Sequence, residues 1–126
     1  MIAVDTSSFL AYPSGAGGSD VETVEVALAD GQVCLPPVVL TELLSARDLS
    51  KEVASLFRQL PLLPVAKGYW DRAGLLRSCV LSTGRKARLA DALIAQSCLD
   101  HKVRLISRDR DFRHFAAAGG LKLLVP

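Results

Sequence analysis

Short apolar runs alternate along this chain with longer segments of helical period, and that alternation most narrows what it can fold into. Ile2-Ala3-Val4, Val33-Cys34-Leu35, Val103 to Ser107 and Leu121 to Val125 have the length of strands, and the stretches between them repeat apolar residues every three or four positions. Strands joined through helices pair in parallel, because a parallel connection needs a crossover of a dozen or more residues. The expectation is an α/β fold with a mostly parallel central sheet flanked by helices. At 126 residues the chain has room for one such domain, spanning residues 1–126.

Local signals place the helices. Asp5-Thr6-Ser7-Ser8 offers capping side chains before Phe9 to Tyr12. Pro13 and the glycine-rich loop Ser14 to Ser19 then interrupt, and Ser19 or Asp20 is expected to cap a helix over Val21 to Ala29. Pro36-Pro37 suits a helix start, whose first amides lack partners anyway. Further helices are expected over about Ser50 to Leu60, Tyr69 to Ser82, Ala87 to Leu99 and Phe112 to Ala118, with Leu62 to Val65 extended. In the fifth of these, Trp70, Ala73, Leu76, Val80 and Leu81 read as the apolar anchors. In the sixth, Leu89, Ala92, Leu93, Ala95, Gln96 and Leu99 read as the inward face.

Four acids lie in or against this core-forming sequence: Asp5, Glu42, Asp91 and Asp109. Burying a carboxylate costs several kcal/mol unless it is paired or binds a metal. One acid beside a strand is ordinarily a cap or a surface group, but four so embedded indicate a site. Asp5, Asp91 and Asp109 fall where buried elements begin or end, the sheet edge at which α/β proteins bind ligands. A helical projection places Glu42 on the border of the core, beside the Val39, Leu43 and Ala46 stripe. Hard divalent cations such as Mg²⁺ or Mn²⁺ are the natural partners of such oxygens.

Formal net charge is only +2, yet cations gather about the acids. Arg85, Lys86 and Arg88 precede Asp91, and Arg104, Arg108, Arg110 and Arg113 bracket Asp109. That arrangement suits a polyanion, with Arg85, Lys86, Arg88, Arg108 and Arg110 as candidate phosphate contacts, although arginines near helix ends also pair with neighbouring acids. Cys34, Cys79 and Cys98 match neither a disulfide framework nor a metal spacing, and are expected to be buried and reduced. His101 and His114 are assigned structural roles, which argues against a histidine-based ribonuclease. With no run near the roughly 20 apolar residues that span a bilayer, and no signal-peptide pattern, no membrane association and a cytoplasmic location are expected.

Val4-Asp5-Thr6-Ser7, Thr41-Glu42-Leu43, Leu89-Ala90-Asp91-Ala92-Leu93-Ile94-Ala95 and Ile106-Ser107-Arg108-Asp109-Arg110-Asp111-Phe112 occur in an order and spacing that resembles PIN domains of the VapC toxin type. The last two segments are the most specific. The resemblance implies a metal-dependent endoribonuclease, homodimeric, paired with a small antitoxin that blocks the acidic site. It implies Asp5, Glu42, Asp91 and Asp109 as the acidic quartet, with Asp5, Asp91 and Asp109 holding metal. Ser7 and Ser107 would then orient carboxylates or water. From its place before the Phe112 to Ala118 helix, Asp111 is expected to cap that helix and only to support the site. The chain departs from the pattern at Pro13 and its glycine-rich loop, which replace a continuing helix, and at Ser107, where threonine is common.

Other classes account for the residues less well. A signalling receiver domain needs an acidic pair after its first strand and a late lysine, whereas here Asp5 stands alone and Ser107-Arg108-Asp109 occupies the late position. A phosphatase of the Asp-x-Asp kind lacks its second acid, since Ser7 stands there. A solitary RNA-processing nuclease, or an idle RNA-binding or protein-interaction module on the same scaffold, remains open.

Overall fold

The computed structural model describes residues 1–12 and 15–124. Pro13, expected to end the first helix, Ser14 of the glycine-rich loop and Val125 of the final apolar run lie outside the described residues. Among those described, three strands and seven helices follow in order: β1 (Ile2–Val4), α1 (Thr6–Ala11), α2 (Ser19–Ala29), β2 (Val33–Cys34), α3 (Pro37–Leu44), α4 (Lys51–Gln59), α5 (Tyr69–Ser82), α6 (Leu89–His101), β3 (Arg104–Ile106) and α7 (Phe112–Gly119).

The sheet runs β2-β1-β3 and is parallel throughout. Ile2 and Ala3 pair with Val33 and Cys34 on one side, while Ile2, Ala3 and Val4 pair with Arg104, Leu105 and Ile106 on the other. Strands buried on both faces read as continuous apolar runs, and Ala3, Val4, Leu105 and Ile106 are all fully buried. The order places β1 centrally, so the chain leaves it toward β2 and returns on the opposite side as β3. The carboxyl ends of β1 and β3 therefore form a switch point, and Asp5 N–H donates to Ile106 O at 2.9 Å, extending the ladder to Asp5.

The expected final strand is reduced to a single bridge, Leu123 to Leu105, and the extended segment at Leu62 forms a matching bridge to Leu35. Helix positions agree with the sequence pattern more closely than helix phases do. The α5 core face is Tyr69, Ala73, Leu76 and Val80, while Trp70 and Leu81 are exposed. Tyr69 displaces Trp70 because its hydroxyl reaches Leu93 O at 2.7 Å, satisfying a polar atom that would otherwise be buried alone.

Helix α6 is buried over most of its circumference, from Asp91 and Ala92 through Cys98. Leu89, expected inward, is exposed at the first turn. Phe9 and Phe57 meet edge to face at 5.3 Å and 71°, a contact worth about 1 kcal/mol beyond the area buried. Cys34 and Cys98 are buried as expected, but Cys79 is exposed, because it lies about a quarter turn around α5 from the buried stripe of Tyr69, Ala73, Leu76 and Val80. Among the described residues no helix is long and apolar enough to cross a membrane.

Candidate functional site

Asp5 leaves β1 as its backbone turns into α1, and its carboxylate is almost wholly buried. Two hydroxyls hold one of its oxygens: Ser7 Oγ and Ser107 Oγ each donate to Asp5 Oδ2 at 2.7 Å. Burial pushes the Asp5 pKa up, and the two hydroxyls pull it back in part. Ser107, just beyond β3, does a second job by accepting the Asp109 amide at 3.0 Å. Glu42 projects from α3, half buried, and accepts Thr6 Oγ1 at 2.8 Å.

Asp91 enters from the first turn of α6. Its Oδ2 is buried with no hydrogen-bond partner, the one such side-chain atom among the described residues. Carboxylate oxygens of Asp91, Asp109 and Asp111 all lie within 4.8 Å of one another. Burial raises the Asp91 pKa to about 7, and the charges of Asp5, Asp109 and Glu42 add to the rise against a smaller opposing pull from Arg88. The four acids singled out in the sequence thus converge electrostatically on Asp91.

Asp111 behaves differently from expectation. It precedes α7 in a helical conformation and makes no side-chain cap, so its oxygens turn toward Asp91 and Asp109. The turn is held by Asp109, whose Oδ1 accepts the Asp111 amide at 2.9 Å. Asp111 also lies 3.9 Å from His114 Nε2. His101 bonds the carbonyl of Pro64 at 2.7 Å instead of capping its own helix.

The cations divide into two groups. Arg108 is committed within the chain: Nε and Nη2 reach Asp20 Oδ2 and Oδ1 at 2.8 and 3.0 Å, and Nη2 also reaches Gly17 O at 3.1 Å. Asp20 accordingly does not cap α2, which Gly18 precedes without a side-chain cap. Its carboxyl is held down at about 2, chiefly by the Arg108 hydrogen bonds. Arg85, Lys86, Arg88, Arg110 and Arg113 are exposed, and among the described residues their side chains make no hydrogen bond or ion pair. Arg110 and Arg113 line a cleft of about 350 Å³ that adjoins Asp109, and Arg85 lines another beside His114.

Thr6, Ser8 and Asp20, expected only as capping side chains, have partners at the site that the sequence did not indicate. Thr6 carried a signal, since it sits inside the Asp5-Thr6-Ser7 segment. Ser8 and Asp20 carried none, because their hydrogen bond to each other and Asp20's pairing with Arg108, 88 positions away, exist only in the fold.

A parallel α/β domain with acids converging at its switch point, one buried carboxylate oxygen left unpartnered, defines a centre suited to a hard divalent cation. The PIN domain family model matches residues 2–118, and the chain belongs to that family. No curated protein matches it in sequence. Solved structures similar to it include VapBC2 from Rickettsia felis bound to a DNA fragment from their promoter, with a TM-score of 0.72 at 18% identity, covering 98% of this chain and 97% of that one. FitAcB from Neisseria gonorrhoeae gives 0.67 at 19% identity, covering 100% and 98%. VapBC-5 from Mycobacterium tuberculosis, of the VapBC family of toxin-antitoxin systems, gives 0.66 at 20% identity, covering 99% and 98%. At these identities the likeness is one of fold.

Proposed function

We propose that this PIN domain is a metal-dependent endoribonuclease of the VapC type, the toxin of a toxin-antitoxin pair. The observation that carries the reading is the unpartnered, buried Oδ2 of Asp91 beside Asp109 and Asp111. A buried carboxylate without a partner is costly, and a cation is what this donor set lacks. Asp91, Asp109 and Asp111 would hold Mg²⁺ or Mn²⁺ with Asp5 alongside, and the ion would supply an activated water at neutral pH and offset charge at the reacting phosphate.

The chain's own groups have separable tasks. Ser7 and Ser107 fix the Asp5 carboxylate by occupying one oxygen and leaving the other directed by that constraint. Glu42, held by the Thr6 hydroxyl, would accept a proton from the attacking water. In the hydrolysis the water oxygen attacks phosphorus, the bond from phosphorus to a ribose oxygen breaks, and a proton passes to that leaving oxygen. The exposed Arg85, Lys86, Arg88, Arg110 and Arg113 would take the flanking phosphates.

RNA cleavage assayed with Mg²⁺, Mn²⁺ or excess EDTA tests this. Metal-stimulated cleavage by the wild type, abolished by Asp5→Asn, is expected. Metal-independent RNA affinity without cleavage would instead mark an idle binding module. The antitoxin and homodimer parts of the proposal draw on the likeness to VapBC-5 and FitAcB and on exposed Leu10 and Leu56. Those two flank the surface over α1 and α4, where Phe9 and Phe57 themselves belong to the core. Co-expression with the neighbouring reading frame and sizing of the complex test both; a partner that neither co-purifies nor suppresses cleavage points to a solitary RNA-processing nuclease.

A further inference from the structure

The segment from Ser107 to Asp111 carries two of the three clustered acids and belongs to no helix or strand. Backbone bonds from Phe112 N–H to Asp109 O and from Arg113 N–H to Arg110 O close its last turn, and side-chain bonds tie it to the rest of the fold. On one side Ser107 is tied to Asp5. On the other, Arg108 is tied by a two-pronged ion pair to Asp20, whose Oδ2 also accepts Ser8 Oγ at 2.8 Å and which is itself 6% exposed.

The neighbouring loop is shaped around this pair. Gly17 contributes its carbonyl to Arg108, and Gly18 sits at φ +141, where a Cβ would fall 2.7 Å from Asp20 Oδ1 and 3.3 Å from Arg108 Nη2. A side chain at position 18 would collide with the clasp as well as strain the backbone.

We infer that Arg108 and Asp20 are positioning residues, a clasp from α2 that sets where Asp109 presents its carboxylate, and that Arg108 is not an RNA contact. This rests on the metal-nuclease reading for its catalytic consequence, but not for its structural one. Planar guanidinium geometry matters here, because only a fork engages both Asp20 oxygens and the Gly17 carbonyl; an ammonium keeps the charge and loses the geometry.

The test compares Arg108→Lys, Asp20→Asn and their double variant with the wild-type chain. Three quantities are read: Mn²⁺ affinity by calorimetry, kcat and KM for RNA, and hydrogen exchange of the Asp109 and Asp111 amides by NMR in metal-free protein. Each single variant should weaken Mn²⁺ binding about tenfold, as loss of an outer supporting partner does, and lower kcat while leaving KM unchanged. The double variant should be no worse than either. Exchange at Asp109 and Asp111 should speed up about tenfold as the segment loosens. If Asp20→Asn does not fold, Arg108→Lys and Gly18→Ala carry the same readings.

A raised KM in Arg108→Lys with an unaffected Asp20→Asn would overturn the inference in favour of a phosphate contact. Unchanged amide exchange in the variants would overturn it whether or not RNA is cut. A wild-type chain that binds no Mn²⁺ would sink the nuclease reading, and the exchange measurement would then decide the clasp alone.

Discussion

Asp91 and Asp100 lie nine positions apart on one helix, and their fates are opposite. Asp91 sits in the first turn of α6, where the helix dipole favours a negative charge, yet its pKa is raised to about 7. Asp100 sits at the other end, where the dipole opposes it, yet its carboxyl is held below the usual range. Tertiary partners override helix position. Arg72 grips Asp100 with two hydrogen bonds of 2.9 and 2.8 Å and Gln96 adds a third at 2.8 Å, whereas Asp91 faces burial and three other acids. One carboxylate serves the fold and is satisfied; the other is left wanting a positive charge.

The sharpest way to break this contrast is to neutralise each acid in turn. Asp91→Asn should lower metal-stimulated RNA cleavage more than about 100-fold, beyond what loss of an outer supporting group costs, while metal-free protein near pH 8 becomes more stable by relief of repulsion. Cleavage kinetics and urea melts in EDTA read both; wild-type activity in the variant would end the comparison.

Proton linkage gives the next largest effect. Between pH 4 and 7 the folded, metal-free chain holds a proton on Asp91 that the unfolded chain has released, so Asp91's contribution to stability is full below about pH 4 and is lost as pH rises through about 7. The rise from 3.8 to about 7 sets the width of that window. Asp5, also raised, works in the same direction. Urea midpoints measured from pH 4 to 8 in EDTA should fall, and the fall should be much smaller in Asp91→Asn. Asp100 has the reverse sign: its contribution is present above its ordinary pKa of 3.8 and lost only as pH drops through its depressed value.

Asp111→Asn offers a finer cut. With no capping bond to preserve and its oxygens in the cluster, the variant should weaken Mn²⁺ binding about tenfold at nearly unchanged stability, measured by calorimetry. Asp109→Asn should weaken binding too, yet keep its turn, because an amide oxygen still accepts the Asp111 N–H. The smallest effect is expected from Arg72→Ala, which should lower the melting temperature modestly and leave cleavage as it was. A loss of cleavage there would mean that Asp100 is not merely structural.

Which of these features could be read from the chain follows from how local their causes are. The three strands, the helices and the convergence of Asp5, Glu42, Asp91 and Asp109 were legible, because acids interrupting apolar runs are visible in one dimension. Trp70, Leu81 and Leu89 were assigned inward on hydrophobicity alone, and all three are exposed. Their positions depend on which neighbour each helix packs against, and Tyr69 took the inward place through a hydrogen bond to a carbonyl 24 positions away. Asp111 looked like a cap because the residue before a helix usually is one, whereas the preceding turn had already been closed by Asp109. The partnership of Arg108 with Asp20 had no local trace at all.

The two single-residue bridges at the flanks of the sheet bear on how this protein meets others. Leu35 N–H donates to Pro61 O and Leu35 O accepts from Leu63 N–H, both at 2.8 Å; across the sheet Leu105 is engaged in the same way with Lys122 and Leu124 at 2.9 and 3.0 Å. An open sheet edge is a template on which a foreign strand can grow. At Leu35 and Leu105 the chain has already filled that template with its own backbone, so a partner arriving there finds side chains and no vacant ladder. A foreign strand that extends the sheet must therefore add outside the segments at Leu62 and Leu123, not on Leu35 or Leu105 themselves.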